Sequence, residues 1–303
     1  MALFTCFNRS VNKSKKQQTP GIRFFGSCVL DQDIEMMSLD EKVSRLETLL
    51  KEMGPVVVAF SGGVDSTYLL FVAHAVSENV VAVTAHSAIH PEDELKEAVD
   101  FAGRLGVEHH LFQTGEMNDE TFLSNPPDRC YYCKHIIFSN LVEFARSRGI
   151  QTVVDGSNLD DLGDYRPGRK ALKELRIRSP LQEAGLTKQE VRLLLQKQGL
   201  PVWNKPALAC LASRIPYGSP ITREALDRVE KSEHYLRSLG FQQIRVRDYG
   251  NLARLELIPD DLPKAIDSGM RQIILRHLKS FGYQYVSLDL EGYRTGSLNE
   301  VLK

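Results

Sequence analysis

Two groups of residues in this chain have types and spacing suited to chemistry, and the first is a loop. Ser61-Gly62-Gly63-Val64-Asp65-Ser66 has the make-up of a pyrophosphate cradle. Adjacent glycines let the backbone turn sharply and bring N–H groups close to an anion. A helix opening near Asp65 aims its unsatisfied N–H groups and its positive end at the same place. The hydroxyls of Ser61 and Ser66 can donate to phosphate oxygens. Bare phosphate would repel Asp65, so this carboxylate is expected to face Mg²⁺ or the attacking group. The loop has neither the Gly-Lys-Ser/Thr of a Walker A loop nor the Gly-x-Gly-x-x-Gly of a dinucleotide site. The competing reading is a tight strand–helix turn with Asp65 as a cap.

The second group is the cysteines. Cys130, Cys133 and Cys210 lie in the body of the chain, whereas Cys6 and Cys28 lie in a polar N-terminal stretch. An odd number, unevenly placed, is no disulfide scaffold and implies a reducing compartment and another use for the thiols. A zinc site usually wants four ligands, for which His135 or His90 are further candidates. A Cys130–Cys133 redox pair needs no third cysteine. Buried structural thiols are the remaining possibility.

The elements that must position these groups follow from periodicity. Ser38 and Glu41 form a capping box, and Val43, Leu46, Leu49 and Leu50 recur at helical spacing until Gly54-Pro55. Residues 56–60 are a continuous apolar run, as expected for a buried parallel strand that ends at the glycine loop. A helix carrying Leu69, Leu70, Val72 and Ala73 follows. Further strands are predicted over 80–84, 108–112 and 152–156, with helices over 91–105, 134–148 and 187–198. Strand alternating with helix means a parallel sheet with helices on both faces. After about Pro216 the pattern changes to a helix over 221–239, short strands over 243–246 and 253–257 around the turn Tyr249-Gly250-Asn251, a helix over 262–281 and a strand over 285–290. The expected division is therefore an α/β domain over 39–215 and a small α+β domain over 216–303.

Composition narrows the function classes. The 303 residues are 42% hydrophobic and 25% charged, the balance of an ordinary globular protein. The net charge of -1 argues against a molecule built to coat nucleic acid or an anionic membrane. No apolar run approaches the length that spans a bilayer. The first thirty residues carry Arg9, Lys13, Lys15, Lys16 and Arg23 but no Asp or Glu, which resembles an organelle transit peptide. The plainer readings are a disordered tail over 1–38 or a start at Met36 or Met37, so a cytoplasmic location is expected, with an organelle as the alternative.

The glycine loop after a strand resembles that of the PP-loop ATP pyrophosphatases, whose fold is the adenine nucleotide alpha hydrolase-like one. Members transfer AMP from ATP to a carbonyl or carboxylate oxygen and release pyrophosphate; nitrogen or sulfur then attacks the activated carbon. The resemblance implies ATP and Mg²⁺ as cofactors, with Ser61, Gly62, Gly63, Asp65, Ser66 and Gly156 at ATP and Asp65 catalytic. Asp155-Gly156-Ser157-Asn158 sits at a strand end, where α/β sheets bind ligands. Asp160, Asp161 or Asp164 is expected near metal or substrate, or else in a solvated polar turn.

From about Leu39 onward the chain is similar to one branch, the LarE sulfur transferases of nickel-pincer cofactor synthesis. The stretches that carry this are Asp164-Tyr165-Arg166-Pro167-Gly168, Trp203-Asn204-Lys205, Ser213-Arg214-Ile215-Pro216-Tyr217-Gly218, residues 235–241, Arg245-Val246-Arg247 and Gly292-Tyr293-Arg294-Thr295-Gly296. In that family a carboxylate of a pyridinium dicarboxylate mononucleotide is adenylated, and sulfur then replaces the activated oxygen. A mononucleotide needs a second phosphate site, for which the resemblance nominates Ser213, Arg214, Arg245 and Arg247. Guanidinium suits phosphate, and Arg245 and Arg247 share one face of a strand. On composition alone, a solvated or salt-bridged sheet face is the plainer reading.

LarE proteins are of two kinds: one sacrifices its own cysteine sulfur, the other is thought to hold a [4Fe–4S] cluster on three cysteines. Ala209 stands where the sacrificial cysteine would be, and Cys130, Cys133 and Cys210 match the cluster kind, with Cys210 catalytic. Thiolates bind cluster iron well, and three ligands leave one iron open to exogenous sulfide. The partners implied are a small nucleotide substrate and a sulfide source, with a homo-oligomer expected. Two other classes compete. A tRNA thiolase would use the basic cluster Arg166, Arg169, Lys170, Lys173, Arg176 and Arg178, although no RNA-binding module is recognisable. A nucleotide-binding iron–sulfur sensor would perform no catalysis.

Overall fold

A computed structural model describes residues 37–163, 167–206 and 209–302. The expectations for the leader, Cys6, Cys28, Asp164 and Arg166 lie outside the described residues.

The first helix, α1 (Leu39–Met53), opens with the expected capping box: Glu41 N–H donates to the Ser38 hydroxyl, and the Glu41 carboxylate accepts from Ser38 N–H. Four strands, β1 (Val56–Ala59), β2 (Val80–His86), β3 (Glu108–Gln113) and β4 (Thr152–Val154), form an all-parallel sheet in the order β3-β2-β1-β4. Alternation along β1 dictates the layers. Val56 and Val58 face one core with Leu46 and Leu50 of α1 and Leu69 and Leu70 of α2 (Val64–Val76). Val57 faces the other, with Phe138 and Leu141 of a long helix on the opposite side. Helices thus cover both faces, which is why the strands read as unbroken apolar runs.

The crossovers place the loops that matter at one edge. Between β2 and β3 runs α3 (Glu92–Leu105), and a short α4 (Glu120–Leu123) follows β3. The expected helix over 134–148 is α5 (Arg129–Ser147), which begins five residues earlier and so carries both Cys130 and Cys133. Its polar and aromatic first turn hides the apolar period, while Pro126 and Asp128 start it through bonds to Arg129 N (3.0 Å) and Tyr131 N (2.7 Å). Short helices α6 (Gly168–Glu174) and α7 (Pro180–Glu183) lead to α8 (Lys188–Lys197), opened by a capping box of Thr187 and Glu190.

The C-terminal part is α9 (Arg223–Ser238), an antiparallel pair β5 (Ile244–Asp248) and β6 (Leu252–Leu257), helices α10 (Leu262–Ile266) and α11 (Ser268–Ser280), and β7 (Tyr285–Leu288), which pairs parallel to β6. The single helix expected over 262–281 breaks at Asp267, whose carboxylate caps Gly269 N (3.0 Å) and Met270 N (3.2 Å). This sheet packs α9 and α11 through Leu236, Val246, Leu255 and Leu278. An apolar cluster of Ile89, Phe122, Leu211, Ile215 and Leu226 ties α9 to the loop after β2. Among the described residues, no helix is long and apolar enough to cross a membrane.

Candidate active site

The glycine loop joins the end of β1 to the start of α2. Gly63 is the N-cap and supplies no side chain to the helix start, so the first N–H groups of α2 are left for a ligand. Gly62 has φ +68, and a Cβ there would lie 3.1 Å from that of Ala98 on α3. The loop is stitched by its serines: Ser61 N–H donates to Ser66 Oγ (3.2 Å), and the two hydroxyls are 3.1 Å apart. Gly156, just past β4, packs on the first turn of α2 so closely that a Cβ would come within 2.9 Å of Ser66 N.

Asp65 is held from two sides. Its Oδ1 accepts from Asn158 Nδ2 (3.2 Å), and its Oδ2 pairs with Lys188, the first residue of α8. The acidic loop after β4 is largely occupied with its own geometry. Asp155 accepts from the hydroxyls of Ser157 (2.6 Å) and Ser179 (2.5 Å), Asp160 accepts from Lys188 N (2.9 Å), and Asp161 accepts from Asn158 N (3.0 Å). A second lysine, Lys205, donates to Gly62 O (3.3 Å) and pairs with Glu97 (2.7 Å), which places a cation beside the loop.

A cleft of about 250 Å³ opens over the carboxyl ends of the strands, with Ser61, Ser66, Gly156, His90, Glu94 and Lys134 on its walls. Two of these side chains have a buried atom that no described residue bonds: His90 Nδ1 and Glu94 Oε1. Burial pushes the His90 imidazole below its ordinary value, Glu116 opposing and His86 adding. Burial pushes the Glu94 carboxyl up, against Lys205 and Arg214.

The three nominated arginines lie together but are not equivalent. Arg214 is buried and makes a two-pronged pair with Glu233 (both 2.8 Å); its remaining nitrogen donates to the carbonyls of Ala209 and Cys210 and to Ser213 Oγ (3.0 Å). Burial opposes its charge, but Glu233 outweighs this and holds Arg214 above its ordinary value. Arg247, equally buried, pairs with Glu256 (2.8 and 2.9 Å) and donates to Ser213 O (2.6 Å) and Ser297 Oγ (2.6 Å). Arg245 has no carboxylate partner among the described residues. Its guanidinium lies 4.8 Å over the Tyr293 ring and donates to that hydroxyl (3.1 Å). Burial lowers its pKa, Tyr293 opposing and Arg214 and Arg247 lowering it further.

The body cysteines are thiols, with Cys130 and Cys133 one turn apart on α5 and Cys210 just before a 3₁₀ turn over Leu211–Arg214. Cys133 and Cys210 both pack against the cluster of Ile89 and Leu211, and Leu211 N–H donates to Ile89 O (2.9 Å). Burial pushes the Cys133 thiol well up, with Cys210, Glu116 and Cys130 adding and Lys134 opposing. The donors are therefore soft and near one another. Among the described residues no group of three or more His, Cys, Asp or Glu is placed to hold a single metal ion. The basic cluster considered for RNA is partly neutralised: Arg178 pairs with Glu183, Lys170 with Glu174 (3.9 Å), and Arg169 donates to Leu162 O (3.1 Å).

Sequence reasoning had no signal for Lys188, Glu94, Glu116, Glu233 or Glu256. Each is an ordinary charged residue in the sequence, and its surroundings follow from which elements pack together: Lys188 meets Asp65, Glu233 meets Arg214 and Glu256 meets Arg247.

Comparison with known proteins agrees with this geometry. Residues 45–138 match the asparagine synthase family model. The chain is 45% identical to an uncharacterized protein of Synechocystis, covering 87% of this chain and 99% of that one. It is 40% identical to the pyridinium-3,5-bisthiocarboxylic acid mononucleotide synthase of Lactiplantibacillus plantarum, covering 88% and 97%. The tRNA-specific 2-thiouridylase of Rickettsia africae is more distant, at 27% over 50% of this chain. With a strand-to-helix PP-loop at the carboxyl end of a central strand of a parallel sheet and a relationship that spans almost the whole of both chains, this protein belongs to the LarE family of ATP-dependent sulfur transferases.

Proposed function

We propose that the protein adenylates a carboxylate of a pyridinium dicarboxylate mononucleotide and then replaces the activated oxygen by sulfur. The observation that carries this is a shared wall. His90 and Lys134 line the nucleotide cleft, and their chain neighbours Ile89 and Cys133 pack with Leu211 and Cys210 in one apolar cluster. An acyl adenylate formed over the PP-loop therefore lies beside the thiols.

The free N–H groups of α2 and the hydroxyls of Ser61 and Ser66 receive the pyrophosphate, and Lys205 and Lys188 add positive charge at the same place. Asp65 would hold Mg²⁺, which neutralises charge on the phosphates, and Lys188 is its counter-ion in the protein alone. The substrate carboxylate attacks the α-phosphorus and pyrophosphate leaves; sulfur then attacks the activated carboxyl carbon, and the C–O bond to AMP breaks as AMP leaves. Arg245 contacts the substrate phosphate, because it is the arginine of the cluster with no carboxylate partner among the described residues; Arg214, Arg247 and Ser213 fix the shape of that site. Arg214 also fixes the Ala209–Cys210 backbone through its two carbonyl bonds.

The donor set of three thiols suits a [4Fe–4S] cluster on Cys130, Cys133 and Cys210, which when bound would present sulfide at an open iron. Residues 39–215 act as the ATP pyrophosphatase domain and 216–303 as the substrate-binding and oligomerisation domain, the exposed Tyr285 and Leu290 on its β7 side being suited to a further copy.

The test is iron and acid-labile sulfide per chain after anaerobic reconstitution, together with pyrophosphate release, in wild type, Asp65→Ala and Cys210→Ala. Wild type should release pyrophosphate only with the mononucleotide present. Asp65→Ala should release none, and Cys210→Ala should release it yet form no thiocarboxylate and bind little iron. Full sulfur transfer by Cys210→Ala would overturn the role given to this thiol.

A further inference from the structure

One face of α5 lines the cleft. Lys134, Ile137, Phe138 and Leu141 all stand on its wall, and their spacing puts them in a single stripe along the helix. Ile137, Phe138 and Leu141, with Val83 and Ala85 of β2, make an apolar slot suited to a flat aromatic base. Lys134 lies one turn, about 6 Å, from Phe138 toward the start of the helix, and Cys130 one turn further. The stripe therefore passes from an apolar slot to a cation to a thiol, and Ser61, Ser66 and Gly156 line the same cleft.

Lys134 is held in place and still has donors to give. Its nearest carboxylate, Asp155, stands 4.0 Å away, beyond hydrogen-bond reach, and already accepts from the hydroxyls of Ser157 and Ser179. Asp155 thus balances the charge of the ammonium without bonding it, and among the described residues nothing accepts a hydrogen bond from Lys134 Nζ. The stem is fixed from the side by Gly168, the first residue of α6. A Cβ there would come within 2.6 Å of Lys134 Cδ, 3.2 Å of its Cγ and 3.2 Å of Cys130 O. The backbone of α6 lies directly on the lysine stem, an approach that glycine permits and a larger residue does not.

We infer that Lys134 is a catalytic residue that binds the α-phosphate of the adenylate and that Gly168 is the positioning residue that aims it, an inference that rests on the adenylation proposed above. The α-phosphate is the one joined to the nucleoside, so a base in the apolar slot sets it near the next turn of α5, while the β- and γ-phosphates go to the N–H groups of α2. One contact serves both steps. As the substrate carboxylate bonds to the α-phosphorus, the bond to the pyrophosphate oxygen breaks and pyrophosphate takes the electron pair. As sulfur bonds to the carboxyl carbon, the C–O bond breaks and AMP takes the pair. Negative charge on the α-phosphate is balanced by the same ammonium each time. Lys188 and Lys205 stand at Asp65 and Gly62, at the pyrophosphate end, and leave this task to Lys134.

The experiment is calorimetry of AMP and of adenosine, which has the same base and ribose and no phosphate, on wild type, Lys134→Met, Gly168→Ala and the double variant. Wild type should prefer AMP. Lys134→Met should weaken AMP by about tenfold or more and leave adenosine within about twofold. Gly168→Ala should weaken AMP about threefold or more, spare adenosine, and add less than about twofold to Lys134→Met, because it acts through that side chain. Melting behaviour checks that each variant is folded. AMP affinity unchanged in Lys134→Met, or both ligands weakened alike, overturns the role of the lysine. A Gly168→Ala loss that is as large in the Lys134→Met background shows a merely structural glycine and overturns its positioning role. A wild type that binds adenosine as tightly as AMP overturns the inference alone; one that binds neither, and releases no pyrophosphate from ATP with the mononucleotide, overturns the adenylation reading and the inference with it.

Discussion

Replacing Gly156 by alanine should damage the nucleotide site through one added methyl group. Gly156 has an ordinary backbone conformation, so no left-handed strain is involved. What stands in the way is distance. The new Cβ would lie 2.9 Å from Ser66 N, 3.1 Å from Ser66 Cα and 3.3 Å from Asp65 C, all main-chain atoms of the first turn of α2. No side chain can rotate aside, so reaching the 3.4 Å of ordinary contact requires the two backbones to part by about half an ångström. Overpacking of this kind costs about 1–3 kcal/mol, and roughly 2–4 °C of melting temperature for each kcal/mol in a domain of this size. The same shift moves Ser66 and Asp65 together. A 1 Å misplacement is worth ~10²-fold in rate, so a loss on the order of tenfold in ATP–pyrophosphate exchange is expected. Gly54→Ala is the comparison: φ there is +66 and nothing lies within 4 Å, so it carries strain without a clash. It should cost about 1–3 kcal/mol of stability and leave ATP affinity unchanged. Exchange by Gly156→Ala within about twofold of wild type, or equal losses in both variants, would refute the argument from contact distance.

Glu233→Ala should be far more destabilising than an average substitution, because Glu233 accepts from Arg214, Arg237 and Val246 N and its loss leaves Arg214 buried with no counter-charge. A loss of about 3–5 kcal/mol in denaturant unfolding is expected, and less than about 1 would show that water reaches the pair. Lys188→Met removes the counter-ion of Asp65 and should lower pyrophosphate release on the order of tenfold or more, read in the same assay. Glu94 also sets a pH dependence. Its folded pKa is raised above 4.5, so the folded state holds its proton more tightly than the unfolded one, and stability falls as pH rises from there through the folded value. Glu94→Gln should therefore melt above wild type at neutral pH, with the gap closing below pH 4.5; a gap that did not change with pH would show that charge is not its cause.

The sequence by itself determined the elements and the family. Val56–Ala59 alternates between two apolar cores, so its unbroken valines could only be a buried parallel strand, and the glycine loop after it follows from the need to turn into α2. The capping box at Ser38 fixed a helix start because its partner is three residues away. The start of α5 was missed because Arg129 to His135 has no apolar period, and the break at Asp267 because its caps stand within a helical pattern.

Only the tertiary structure decided how the charges pair. Arg214, Arg245 and Arg247 look alike in the sequence, yet Glu233 and Glu256 engage two of them and leave Arg245 beside Tyr293. Asp65 meets Lys188, more than a hundred positions away, and no described residue donates to Glu94 Oε1. Local patterning is written in spacing because helix and strand periods are short. A buried ion pair is decided by which elements the chain brings together and how little water remains between them.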